Sequence, residues 1–146
     1  MDNEHLFVML DECIQYASKV LTSETPLESF AMVLDHENNI GSVNSDEKDG
    51  FIRYEYLLQT LRDEAKADKI SALALLSNVT IPDNFNAPVE SGIRIHIEEK
   101  AFTKENKLNA RLLYIPYQLF KSKDDETVQI KLHDPIPIAL ACEIFV

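Results

Sequence analysis

The stretch GIRIHIEEK, residues 92–100, sets Arg94, His96 and Glu98 at intervals of two. In an extended chain, side chains two apart share a face, so guanidinium, imidazole and carboxylate fall in one row while Ile93, Ile95 and Ile97 fill the other side. The chemistry such a row offers is that of a histidine base near its working pKa, oriented by an acid. Asn109 and Arg111, or Gln129, Lys131 and His133, would join it from a neighbouring strand. The same pattern also describes the wet outer side of an antiparallel sheet that buries only its isoleucines. That reading accounts for the alternation without any chemistry. An enzyme or small-ligand binder built on the Arg94, His96 and Glu98 face stands as the alternative to it.

Other reactive residue types lack partners at useful spacing. Cys13 falls on an apolar helical stripe and Cys142 in an apolar tail, which suits small buried hydrophobes better than nucleophiles. NSDEKDG, residues 44–50, resembles a calcium loop until it is aligned on Gly50: Ser45, Glu47 and Asp49 then stand at ligand positions, but Tyr56 replaces the closing bidentate glutamate. A solvated acidic loop capping a helix is the better account. Asp35, His36 and Glu37 form a dense polar triplet in a turn, without the paired His or Cys spacing of a metal site. With 3 glycines in the chain, and no phosphate-cradling or nucleophile-elbow motif, no catalytic residue, metal or cofactor is expected.

YIPYQLF, residues 114–120, is the most suggestive apolar stretch. Pro116 lacks a ladder donor, which predicts an edge or a kink, with Tyr114, Tyr117 and Phe120 beside the irregularity. Tyrosine, apolar along its body and polar at its tip, suits an interface. These three residues are therefore candidates for a partner surface.

The elements that must position these residues follow from periodicity. Leu6, Leu10, Cys13, Ala17 and Val20 make a helical stripe over about 3–21, with Asp2 or Asn3 at its cap and TSETP closing it. SFAMVLD (29–35) and Ile40 to Val43 form a hairpin around Asn38 and Asn39, which tolerate positive φ. Phe51, Tyr54, Leu58, Leu61 and Ala65 repeat helically to about Ala67, capped near Asp49 or Gly50. ISALALLSNV (70–79) is apolar throughout and reads as a central strand buried on both faces. Strands are expected at 92–100, 108–119 and 127–133, with PIPIALACEIFV adding a last one at an edge. The result is a single α+β domain over 1–146: a mainly antiparallel five- or six-stranded sheet with two amphipathic helices, ordered helix, hairpin, helix, then three or four strands.

The succession of the first helix, SFAMVLD, the second helix, ISALALLSNV, GIRIHIE and YIPY resembles a group of small uncharacterised bacterial proteins over nearly the whole chain. The layout is also similar to roadblock and other profilin-like modules, which implies a scaffold or dimer role. That resemblance implies a closing helix, where PIPIALACEIFV reads as extended.

Bulk composition narrows the functional classes. Charged residues make up 27% and hydrophobic ones 45% of the 146 residues, a globular balance. The 25 acids against 14 bases give −11, a field that disfavours nucleic acid and anionic membrane and attracts basic partners. Two distant cysteines, an acidic N-terminal stretch and no apolar run approaching roughly 18 residues point to a cytoplasmic protein. The expectation is a non-enzymatic module that binds another protein, a basic one in particular, in an immunity-like or regulatory role, or that pairs with itself as a homodimer.

Overall fold

In the computed structural model, residues 4–102, 110–124 and 126–145 are described. The expected caps Asp2 and Asn3, the first residues of the 108–119 strand and Asn109 lie outside them. The elements are α1 (Glu4–Thr22), β1 (Phe30–Leu34), β2 (Ile40–Val43), α2 (Gly50–Lys66), β3 (Ala72–Thr80), β4 (Ser91–Glu99), β5 (Ala110–Lys121), β6 (Val128–Leu132) and β7 (Ile136–Leu140). All strand pairs are antiparallel, in the order β2-β1-β3-β4-β5, with β6 and β7 both on β5. The fold is thus α+β, with two helices on an antiparallel sheet. No helix among the described residues is long and apolar enough to cross a membrane.

The turn between β1 and β2 is built by Asp35, whose carboxylate accepts the amides of Glu37 and Asn39, while Asn38 takes a φ of 66°. Helix α1 buries Leu6, Met9, Cys13, Ala17 and Leu21, an i, i+3, i+4 stripe. This stripe packs with Phe30, Leu76, Ile93, Ile95, Ile97 and Ile115 on one side of the sheet. On the other side, Leu57, Leu58 and Leu61 of α2 pack with Ala31, Leu73 and Leu75, and Ile144 and Phe145 of the C-terminal tail join them. Each such Leu or Ile contributes roughly 2 kcal/mol through the apolar surface it removes from water. β3 is consequently buried on both faces over Ala72 to Ser77, as its continuous apolar run predicts.

Two expectations are corrected by this layering. The face of β4 carrying Arg94, His96 and Glu98 is not wet, because α2 and the C-terminal tail form a second layer over it. Phe51, placed on the buried stripe of α2 by its spacing, is instead 75% exposed, and Arg53 occupies the buried side.

Pro116 sits where β5 changes neighbours. It pairs with Gly92 at the end of the β4 ladder, and β5 runs on unbroken through it, leaving β4 and β7 behind and pairing with β6 alone over Tyr117 to Lys121. The amide of His133 donates to the Pro116 carbonyl at 2.8 Å, so even-numbered residues of β5 turn their backbone groups away from β4. The missing donor of Pro116 therefore faces the break between β6 and β7, where Asp134 and Pro135 interrupt the outer strand. The irregularity sits in the partner strand rather than in β5. Pro137, opposite Leu113, directs its own missing donor outward, as an edge strand permits.

Candidate functional site

His96 and Glu98 lie on one face of β4, as the alternation requires, and both are buried: 3% and 0% exposed. Their separation is 2.5 Å between Nε2 and Oε2. An ionised carboxylate can only accept, so the proton of this bond belongs to Nε2 of His96. Three successive amides of the tail converge on the same carboxylate: Glu143 on Oε2 at 2.9 Å, Ile144 on Oε1 at 3.1 Å and Phe145 on Oε1 at 3.0 Å. Burial pushes the Glu98 carboxyl up, but the His96 hydrogen bond and the Phe145 and Glu143 amides outweigh it and hold the group at about 2. Burial and the neighbouring Glu98 carboxylate push the Cys142 thiol up to about 12, which removes the thiolate that a nucleophile needs. The pair thus works inside the protein as a clasp for the tail, with its acceptor capacity taken up by the chain itself.

Arg94, the third member of the row, lies over the Tyr54 ring of α2, 5.5 Å from its centroid, and joins the two layers. Gly92 at the start of the strand has a steric reason: a Cβ there would stand 2.6 Å from the Ile81 side chain. Arg111 pairs with Ile97, while Gln129, Lys131 and His133 lie on or beside β6, across β5 from the row.

The partner surface expected at Tyr114, Tyr117 and Phe120 is corrected for the two tyrosines, each only 7% exposed. Tyr117 faces the α1 layer and donates its hydroxyl to Asn78 Oδ1 at 2.7 Å. Tyr114 packs against Phe85, with ring centroids 5.2 Å apart. Both are consumed by packing within the fold, Tyr117 in the α1 layer and Tyr114 against Phe85. Phe120 remains exposed at the outer end of β5, opposite Gln129 of β6.

A different surface gathers large apolar side chains that no described residue covers. At the entrance of α2, Phe51, Ile52 and Tyr56 are 75%, 53% and 53% exposed. Ile52 and Tyr56 line a cleft of about 500 Å³ with Asn44, Ser45, Asp46 and Glu47 of the preceding loop. That loop is fixed by its own side chains. Asn44 Oδ1 accepts the Ser45 amide, Ser45 Oγ accepts the Glu47 amide, and Glu47 Oε1 accepts those of Lys48 and Asp49. Asp49 then caps α2 by accepting from Phe51 and Ile52, as its position in the sequence predicts. Arg53, buried beneath, donates to the Ser29 and Ser45 carbonyls and to Asn44 Oδ1, and lies 3.5 Å from Glu28.

Sequence reasoning passed over this surface, although a signal for it exists. Phe51, Ile52, Tyr54, Tyr56, Leu57 and Leu58 surround the helix, wider than one packing stripe can bury, so part of that girdle must face outward. Comparison with protein-family models, with curated proteins and with solved structures finds no match.

Proposed function

We propose that the protein is a cytoplasmic, non-enzymatic binding module whose partner is a basic protein, engaged at the entrance of α2. The observation that carries this reading is the exposure of Phe51, Ile52 and Tyr56 beside the acidic Asp46 and Glu47. Aromatic anchors set in a rim of charge are the composition of an interaction surface, where apolar residues supply affinity and charges supply orientation and encounter rate. A loop already held by its own hydrogen bonds loses little entropy on docking. The overall −11 field acts in the same direction by attracting cations over a distance. An immunity-like or regulatory role toward a basic protein is the form of binding that this charge suits best.

The test is capture of partners from the native host at low salt, with the captured protein then titrated against purified wild type and variants. A stoichiometric basic partner should be released by salt, lose at least roughly tenfold in affinity with Phe51→Ala, and lose association rate with Asp46→Lys. A partner that binds both variants as well as wild type would overturn the assignment of this surface.

A further inference from the structure

The sheet has two margins, the four-residue β2 (IGSV) on one side and β6 with β7 on the other, and of the two strands on β5 it is β6 whose outer edge is open. Among the described residues β6 pairs with β5 alone. The His133 amide reaches the Pro116 carbonyl and the Ser122 amide reaches the Thr127 carbonyl. Odd-numbered residues of this strand therefore face β5, and Val128, Ile130 and Leu132 turn their N–H and C=O groups outward. Natural sheets block such an edge with proline, charge or a covering segment. β7 carries Pro137 within it and Pro135 just before it, whereas β6, VQIKL, carries no proline and one charge.

We propose that β6 is a self-association edge, at which a second copy of this chain pairs antiparallel about a two-fold axis through Ile130. This register sets Ile130 opposite its own copy and Val128 opposite Leu132, and satisfies the outward backbone groups of all three residues from both sides. The side chains agree with it. Val128, Ile130 and Leu132 share the α1 side of the sheet, since they pair with Lys121, Leu119 and Tyr117. A groove of about 550 Å³ opens on that side beside Val128, lined also by Leu21, Pro26 and Leu119. The exposed Leu132 of each copy comes to lie over the groove of the other, which is knob and hole in one self-complementary surface. On the opposite side, the register sets Lys131 against Gln129 of the second copy, so no like charges meet.

Charge permits the approach as well. Between Lys121 and Asp134 three lysines stand against four acids, nearly neutral in a chain of −11, so two copies meet where their mutual repulsion is weakest. This pairing leaves the α2 surface free and does not depend on the function proposed for it.

The test is sedimentation velocity on the full-length chain over a range of concentrations, with substitutions at the exposed Gln129. The wild type should move from 16.6 kDa toward twice that mass as concentration rises. Gln129→Lys, which sets lysine against Lys131 twice across the interface, should weaken association roughly tenfold, and Gln129→Glu should strengthen it. Because Gln129 is outside the core, both variants should keep the wild-type thermal midpoint at concentrations where all three are monomeric, which checks that the fold is unchanged. Amide exchange at Val128, Ile130 and Leu132 should slow as the dimer forms. A chain that stays monomeric up to millimolar concentration, or a dimer indifferent to both substitutions, would overturn the proposal. So would an edge that pairs only with a strand of another protein.

Discussion

Glu98 has the most consequential environment of any single residue in the fold. A carboxylate removed from water is costly unless each lone pair finds a donor, and here His96 and three tail amides supply them. The arrangement tolerates glutamate far better than its closest isostere. Glutamine would lose the charge that strengthens every one of these bonds and would turn an NH₂ group toward N–H donors. Glu98→Gln is therefore expected to lower stability at pH 7 by about 3 kcal/mol in urea unfolding, the scale for breaking a buried, hydrogen-bonded charge. A loss under about 1 kcal/mol would mean that the tail is held by Ile144 and Phe145 alone and that the carboxylate is incidental.

The C-terminal tail is held at Glu143, Ile144 and Phe145 by one distant side chain rather than by a ladder. The amides of Glu143, Ile144 and Phe145 should therefore exchange slowly with solvent in the wild type and lose most of that protection together in Glu98→Gln, while α1 stays protected. Independent exchange at the three positions would count against a common clasp. This element also marks where the sequence was legible and where it was not. The turn at Asn38, the Asp49 cap and the doubly buried β3 each rest on periodicity or residue chemistry within a few positions and stand where that reading puts them, while the α1 stripe keeps Leu6, Cys13 and Ala17 but buries Met9 and Leu21 in place of Leu10 and Val20. The tail contributes backbone amides, which carry no side-chain pattern, to a carboxylate 45 residues or more away, so nothing local announces that it covers β4. A clue existed all the same: a strand buried on both faces, as ISALALLSNV requires, needs a second layer, and that layer extends over its neighbour. The tyrosines of YIPYQLF mislead because what covers them, the α1 layer and Asn78 for Tyr117 and Phe85 for Tyr114, comes from distant segments that leave no mark on their own stretch.

At the scale of the molecule, two electrostatic effects oppose one another as pH changes. The −11 charge at pH 7 destabilises the compact chain through self-repulsion, and exposed carboxylates relieve it as they gain protons. Glu98 acts the other way. Its carboxyl is held at about 2 against an ordinary 4.5, so the stability it supplies is complete above 4.5 and is lost as pH falls toward 2. Asp68, lowered by Lys100, and Asp35, lowered by the Asn39 amide, change in the same sense but are exposed and weigh little. The expected profile from chemical denaturation is therefore level or slightly rising from pH 7 to about 4.5, followed by a fall of about 3 kcal/mol toward pH 2. Added salt should raise stability at pH 7, where repulsion is the term it screens. Among the described residues Glu98 is the one buried carboxylate with a strongly lowered pKa, so the acid limb of Glu98→Gln should be much shallower while its response to salt is unchanged. An acid limb of equal steepness in wild type and variant would assign acid unfolding to the surface charges, and a decline already under way between pH 7 and 5 would place the governing group outside the carboxylates.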